Sequence, residues 1–99
     1  MDSIPRTHKS IVSNTQECHH CGRCENLQRH HMIKGVAYRW KAEEDGLWIY
    51  LCVDCHTYLH GKHGHELDLL YKKEAERAWL KHYRKSIKDW IRRYGKNFL

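Results

Sequence analysis

Leu51-Cys52-Val53-Asp54-Cys55-His56-Thr57-Tyr58-Leu59-His60 is the stretch on which the fold turns. Cys52 and Cys55 stand at the spacing of a metal knuckle. His56 and His60 follow at i and i+4, so a helical stretch would stack them on one face. A helix is predicted to begin near Asp54 and to run to about Leu59, ending before Gly61 and Gly64. On it the two imidazoles would lie about 6 Å apart, close enough to share one ion.

Toward the N-terminus, Cys18-His19-His20-Cys21 repeats the Cys-x-x-Cys spacing, with the 30 residues Gly22 to Leu51 between the pairs. Two such knuckles folded together place four thiolates tetrahedrally around one zinc, at roughly 2.3 Å each. The role expected for Cys18, Cys21, Cys52 and Cys55 is structural, because a closed four-thiolate shell leaves no position for a reacting water. A chain of 99 residues builds a marginal core, and such a staple suits it. His19 or His20 is an alternative ligand within the first knuckle, and Cys24 is left over as a small thiol. The spacing is not that of a disulfide framework, and a reducing cytoplasm would keep the thiols free for metal. No apolar run has the length of a signal-peptide core or of a membrane span, so a soluble, intracellular protein is expected.

Between the knuckles, apolar or aromatic runs around Arg29 to Lys34 and Leu47 to Leu51 predict two strands able to pair as a hairpin. His30 and His31, adjacent on the first strand, must point to opposite sides. One of them can join His56 and His60 on an ion while its neighbour does something else. Eight of the ten histidines lie between His19 and His65. An imidazole near neutral pKa can take a proton from water while a metal stabilises charge on a phosphodiester. The competing reading is a second structural zinc, or surface histidines without a shared task. The connection from Gly35 to Gly46 is longer than a turn and carries Tyr38, Arg39, Trp40 and Lys41. That mixture suits contact with nucleic acid, or simply covers the core.

Met1 to Glu17 is polar and aperiodic, a flexible arm that docks through Ile4, Ile11 and Val12. From His65 onward, Leu67, Leu70, Tyr71, Ala75, Ala78 and Trp79 recur at helical spacing. Ser86 with Asp89 forms a capping-box pattern, opening a last helix expected to bury Ile87, Trp90, Ile91 and Tyr94 and to stop before Gly95. The net charge is +6, and Tyr71 to Lys96 holds ten Lys/Arg against three acids. A segregated positive face suits a polyanion, since neutralised phosphates release condensed counterions; a merely solvated helix face is the plainer alternative.

Taken in order, Cys18-x-x-Cys21, Arg29-His30-His31-Met32-Ile33 and Leu51-Cys52-Val53-Asp54-Cys55-His56-x-x-x-His60 resemble an HNH endonuclease. The tail Gly95-Lys96-Asn97-Phe98-Leu99 is similar to small phage and prophage members. The resemblance implies an α+β fold: a ββα-metal core with four-cysteine zinc knuckles over residues 18–64, followed by C-terminal basic α-helices over 65–99 of the same domain, with 1–17 as the arm. By position, His31 would be the general base, and His30, His56 and His60 would hold a catalytic Mg²⁺, Mn²⁺, Ni²⁺ or Zn²⁺ beside the structural Zn²⁺. All-imidazole ligation favours the later transition metals, whereas Mg²⁺ prefers oxygen. The family's middle asparagine has no counterpart, because no Asn stands between Asn26 and Asn97; Asp45 or a nearby backbone carbonyl is the expected substitute.

The expected function is that of a metal-dependent DNA endonuclease or nickase acting in the cytoplasm, that of the host if phage-encoded, on double-stranded or branched DNA. Arg29, Arg39 and Lys41, with Lys72, Lys73, Arg77, Lys81, Arg84, Arg92 and Arg93, are the candidate phosphate contacts. The alternatives are a catalytically weak or inactive zinc-containing DNA-binding module, and a zinc-bearing adaptor that contacts an acidic protein. Specificity and the choice between monomer and homodimer leave no mark on the sequence.

Overall fold

Strand β1 (Leu27–His31) and strand β2 (Trp48–Cys52) pair antiparallel, from Leu27 opposite Cys52 to His31 opposite Trp48. The computed structural model describes residues 8–99; Ile4, an expected anchor of the arm, lies outside them. β2 is apolar and buried except at Tyr50, so it sits in the middle of the core, while β1 exposes Gln28. The apolar run of the first strand suggests Arg29 to Lys34, but Met32 and Ile33 leave the strand to fill the core below it. Met32 N–H still donates to Leu47 O at 3.0 Å, which closes the hairpin end.

The expected connection between the strands is a ten-residue helix, α1 (Val36–Asp45). Its sequence, VAYRWKAEED, shows little amphipathic period and buries only Ala42 and Glu43, so its helicity leaves a weak mark on the residue pattern. Gly46 ends it at φ 75°, and a side chain there would strike the Lys9 carbonyl. The segment from His8 to Val12 passes close by: Ile11 N–H donates to Gly46 O at 2.9 Å, Trp48 Nε1 to His8 O at 3.0 Å and Ser10 Oγ to Trp48 O at 2.6 Å. Ile11 and Val12 pack against the core.

Helix α2 (Val53–Leu59) follows β2 without a break, and α3 (His65–Tyr83) and α4 (Ile87–Tyr94) complete a small α+β fold of four helices and one two-stranded sheet. His60 is the C-cap of α2 rather than a helical residue. The capping box of α4 forms as the sequence predicts, with Ser86 Oγ accepting from Asp89 N–H and the Asp89 carboxylate accepting from Ser86 N–H. Trp79, Trp90 and Tyr94 are buried and stack edge-on or tilted with ring centroids 4.2 to 6.4 Å apart. Ile87, Ile91 and Leu70, expected inside, are exposed. In a helix as short as α4 the i, i+4 pair Trp90–Tyr94 covers the contact with α3, leaving the neighbouring stripe outside. No helix among the described residues is long and apolar enough to cross a membrane.

Asp45, at the end of α1, ties these layers together. Its Oδ2 accepts from Trp79 Nε1 at 2.8 Å, from Tyr94 OH at 2.7 Å and from Arg93 Nε, and its carbonyl accepts from Tyr83 OH at 2.9 Å. Burial together with the Asp45 carboxylate raises the Tyr94 hydroxyl well above its usual range.

Candidate metal centres

The four knuckle cysteines converge, each sulfur within 4.8 Å of the others, and are positioned to hold a metal ion such as zinc. Cys21 Sγ and Cys52 Sγ are 3.7 Å apart; thiolates on a tetrahedral zinc at 2.3 Å stand roughly 3.8 Å apart. Cys18 and Cys52 are buried. Burial alone would raise the Cys18 thiol, but backbone N–H groups of Cys52, Cys21 and His20 outweigh it and lower it to about 6. Donors aimed at a sulfur favour the thiolate that a metal needs.

The remaining side chains of the first knuckle point elsewhere. His19 Nε2 lies 3.1 Å from the Glu74 carboxylate, whose hydrogen bond raises the imidazole pKa despite partial burial, and its backbone N–H donates to Tyr50 O at 2.7 Å. His20 lies against Cys55 Sγ at 3.4 Å and stacks on Tyr58. Cys24 is exposed and donates to Gly22 O. None of the three joins the thiolate set.

On the other side of α2 a second group forms. His30 from β1, His56 from α2 and His60 from its C-cap bring one ring nitrogen each within 4.8 Å of the others. Ring centroids are 5.4 Å (His30–His56), 5.7 Å (His30–His60) and 4.6 Å (His56–His60) apart. Because adjacent positions on α2 lie about 100° apart, Cys55 and His56 serve different clusters.

The donor chemistry fits an ion. The His56 and His60 Nε2 atoms are 3.1 Å apart, near the roughly 3.4 Å that two imidazoles keep on a tetrahedral ion. His56 Nδ1 donates to Gln28 Oε1 at 2.6 Å, which leaves its Nε2 lone pair free toward His60. Burial first, then the charges of His56 and His60, push the His30 pKa down to about 3, and burial with His60 also lowers that of His56. Neutral rings keep their lone pairs for a metal. His30 Nε2 is buried with no hydrogen-bond partner, an orphan of the kind an ion satisfies.

His31 lies on the other face of β1, as strand alternation requires. It is 8 % exposed, and its Nε2 is 2.8 Å from Glu43 Oε1 on α1. Arg29 Nη1 donates to both Glu43 oxygens at 2.9 and 2.8 Å, and its guanidinium lies 3.6 Å above the Trp48 ring. Burial alone would raise the Glu43 carboxyl, but the bonds from His31, Arg29 and the His8 N–H outweigh it and hold it below the usual carboxylate range. His30, His31, His56 and His60 all line one open cavity of about 670 Å³, with Lys34 and Arg39 at its wall.

The candidate phosphate contacts divide. Arg29 serves Glu43, Arg93 pairs with Asp45 and Glu44, Arg92 with Asp89, Lys72 with Asp68 at 2.9 Å, and Lys41 donates to Arg93 O. Lys73, Arg77 and Lys81 recur every four residues, so they stripe one face of α3, Arg84 is its left-handed C-cap, and none of the four has an ion-pair partner among the described residues. Tyr38 is half-buried beside Tyr94, while Trp40 is exposed.

Three residues of the histidine region escape a reading of the sequence. Gln28 shares a strand face with His30, a period-two signal that is legible there. Glu43 sits on a helix the pattern does not reveal. Asp68, 4 % exposed with Oδ1 unpartnered, is close enough to oppose the lowering of His30. Asp45, the expected substitute for the missing asparagine, is instead occupied by α3 and α4. Comparison with models of protein families, with curated proteins and with solved structures finds no match to this chain.

Proposed function

We propose that the chain is a metal-dependent DNA endonuclease or nickase of the HNH type, its Cys18, Cys21, Cys52 and Cys55 holding a structural zinc and its His30, His56 and His60 a catalytic divalent ion. The observation that carries the reading is the convergence of three imidazole nitrogens within 4.8 Å, one of them on a buried orphaned ring, in a cavity that His31 also lines. A strand, a helix and its cap aimed at one point are hard to ascribe to chance surface histidines. When bound there, a divalent ion neutralises charge on the scissile phosphate and its leaving oxygen.

The residues of the chain divide the remaining work. His31 accepts a proton from water as the water oxygen bonds to phosphorus; the bond from phosphorus to the leaving sugar oxygen breaks, and that oxygen takes a proton from solvent. Gln28 holds His56 in the tautomer that presents Nε2. Lys34 and Arg39 at the cavity wall, the Lys73–Arg77–Lys81 stripe and Arg84 at the helix end supply cationic surface for the DNA backbone. Late transition ions suit the all-imidazole set better than Mg²⁺.

A second reading, a zinc-bearing DNA-binding module without activity, draws on the deep burial of His31. Supercoiled plasmid incubated with metal-stripped protein and each of Mg²⁺, Mn²⁺, Ni²⁺ and Zn²⁺, beside His31→Ala, separates the two. Nicking or linearisation by the wild type alone is expected. Salt-sensitive DNA binding without cleavage under any ion would install the binding module in its place.

A further inference from the structure

Glu43 is an unusual neighbour for a general base. It is 1 % exposed, and both its oxygens are engaged: Oε1 by His31 Nε2 at 2.8 Å and Arg29 at 2.9 Å, Oε2 by Arg29 at 2.8 Å and the His8 N–H at 3.3 Å. Arg29 and the backbone amide can only donate, and a carboxylate that receives a guanidinium so closely is ionised and has no proton to offer. The His31–Glu43 hydrogen bond therefore runs one way, from ring N–H to carboxylate. A neutral imidazole carrying its proton on Nε2 has its lone pair on Nδ1.

We infer that Glu43 is the positioning residue of this site: it locks His31 with the proton on Nε2, so that Nδ1 is the atom that receives the proton of the attacking water. The inference rests on the reading of His31 as the base. The arrangement follows the logic of a base oriented by a buried carboxylate, reached here from a helix between the two strands. It also explains why α1 buries a glutamate beside Ala42. Arg29 belongs to the same device: stacked on Trp48, it keeps Glu43 charged and immobile.

Glu43→Gln is nearly isosteric but reverses the instruction. Its amide oxygen can accept from Arg29 while its NH₂ donates to His31 Nε2, which moves the ring proton to Nδ1 and blocks the base. In the zinc-loaded full chain, plasmid nicking by Glu43→Gln is expected to fall about 10²- to 10⁴-fold in kcat with KM for DNA unchanged, the size of a general-base contribution. Glu43→Asp, which keeps the carboxylate, should recover part of it. Two-bond ¹H–¹⁵N correlation spectra of the histidine rings, with His31 assigned by its loss in His31→Ala, supply a readout independent of cleavage. The His31 proton is expected on Nε2 in the wild type and in Glu43→Asp, and on Nδ1 in Glu43→Gln.

A wild-type proton on Nδ1 overturns the inference whether or not DNA is cut. So does full activity of Glu43→Gln beside an active wild type, or a loss confined to KM. Should Glu43→Gln fail to fold, the wild-type and Glu43→Asp spectra still decide. A wild type that shows the Nε2 proton and cuts under no ion overturns the endonuclease reading, and the role as positioner of a base falls with it.

Discussion

The cysteine cluster and the histidine cluster sit on either side of the same short helix, and they are built in opposite ways. Cys52 and Cys55 join Cys18 and Cys21 in a set of four soft donors that is complete in itself, with backbone N–H groups aimed at sulfur. His56 and His60 join only one further ring, that of His30, and the three border a cavity of about 670 Å³. Four ligands close a tetrahedron and leave nothing to react, whereas three leave a position open. One seven-residue helix thus contributes to both groups, a set of four donors and a set of three beside an open cavity. Ligand count and access, more than ligand identity, therefore set what a metal-binding group could do: a closed set of four suits a structural ion, and a set of three beside a cavity is what the proposed chemistry requires.

The comparison breaks most visibly at the staple. Cys52→Ser should abolish stoichiometric zinc and the cooperative thermal transition, since zinc contributes on the order of 10 kcal/mol to small domains of this kind. Zinc content and circular dichroism of the purified variant would report it, and a folded, zinc-free Cys52→Ser would mean that the core suffices alone. His60→Ala should act the other way. Its fold and first zinc are expected to survive, while one equivalent of a second ion is lost in titration calorimetry and plasmid nicking falls at least about 100-fold.

Gln28→Ala sharpens the contrast further. Releasing His56 from its tautomer should weaken the second ion about 10- to 100-fold and leave the thiolate zinc untouched. Competition with a colorimetric chelator measures both affinities in one sample. The smallest effect is expected in acid. The Glu43 carboxyl titrates below its ordinary value in the folded protein, so its contribution is complete above the unfolded value near 4.3 and disappears as pH falls through the lower folded value. As pH falls below the unfolded value near 4.3, the urea midpoint of the wild type should therefore drop more steeply than that of Glu43→Gln. Parallel slopes would detach Glu43 from the acid limb.

Much of this molecule is legible because its signals are local. The Cys-x-x-Cys pairs, the i, i+4 spacing of His56 and His60, the alternation of His30 and His31, the long helix after Gly64 and the capping box at Ser86 all follow from covalent spacing and helical or strand period. Helix α1 escapes because a helix that buries only two residues, among half-buried or exposed aromatics and charges, leaves almost no period to read. The charge count of the tail is legible as well, but not its disposition. Arg92 and Arg93 look no different in sequence from Arg77 and Arg84, yet the first two are in ion pairs, and the latter two have no ion-pair partner among the described residues.

By itself, then, the sequence settled which donors exist and which of them local spacing can bring to a common face, along with the α+β class of the chain. Tertiary structure alone decided that Glu43 meets His31 across 12 positions, that Asp45 is occupied by residues 34 and 49 positions away, and that the His30 ring is buried without a partner. The reason is physical. Periodicity is written into bond geometry and survives in any context, whereas a buried carboxylate finds its donors only after distant segments have packed and excluded the water that would otherwise have satisfied it.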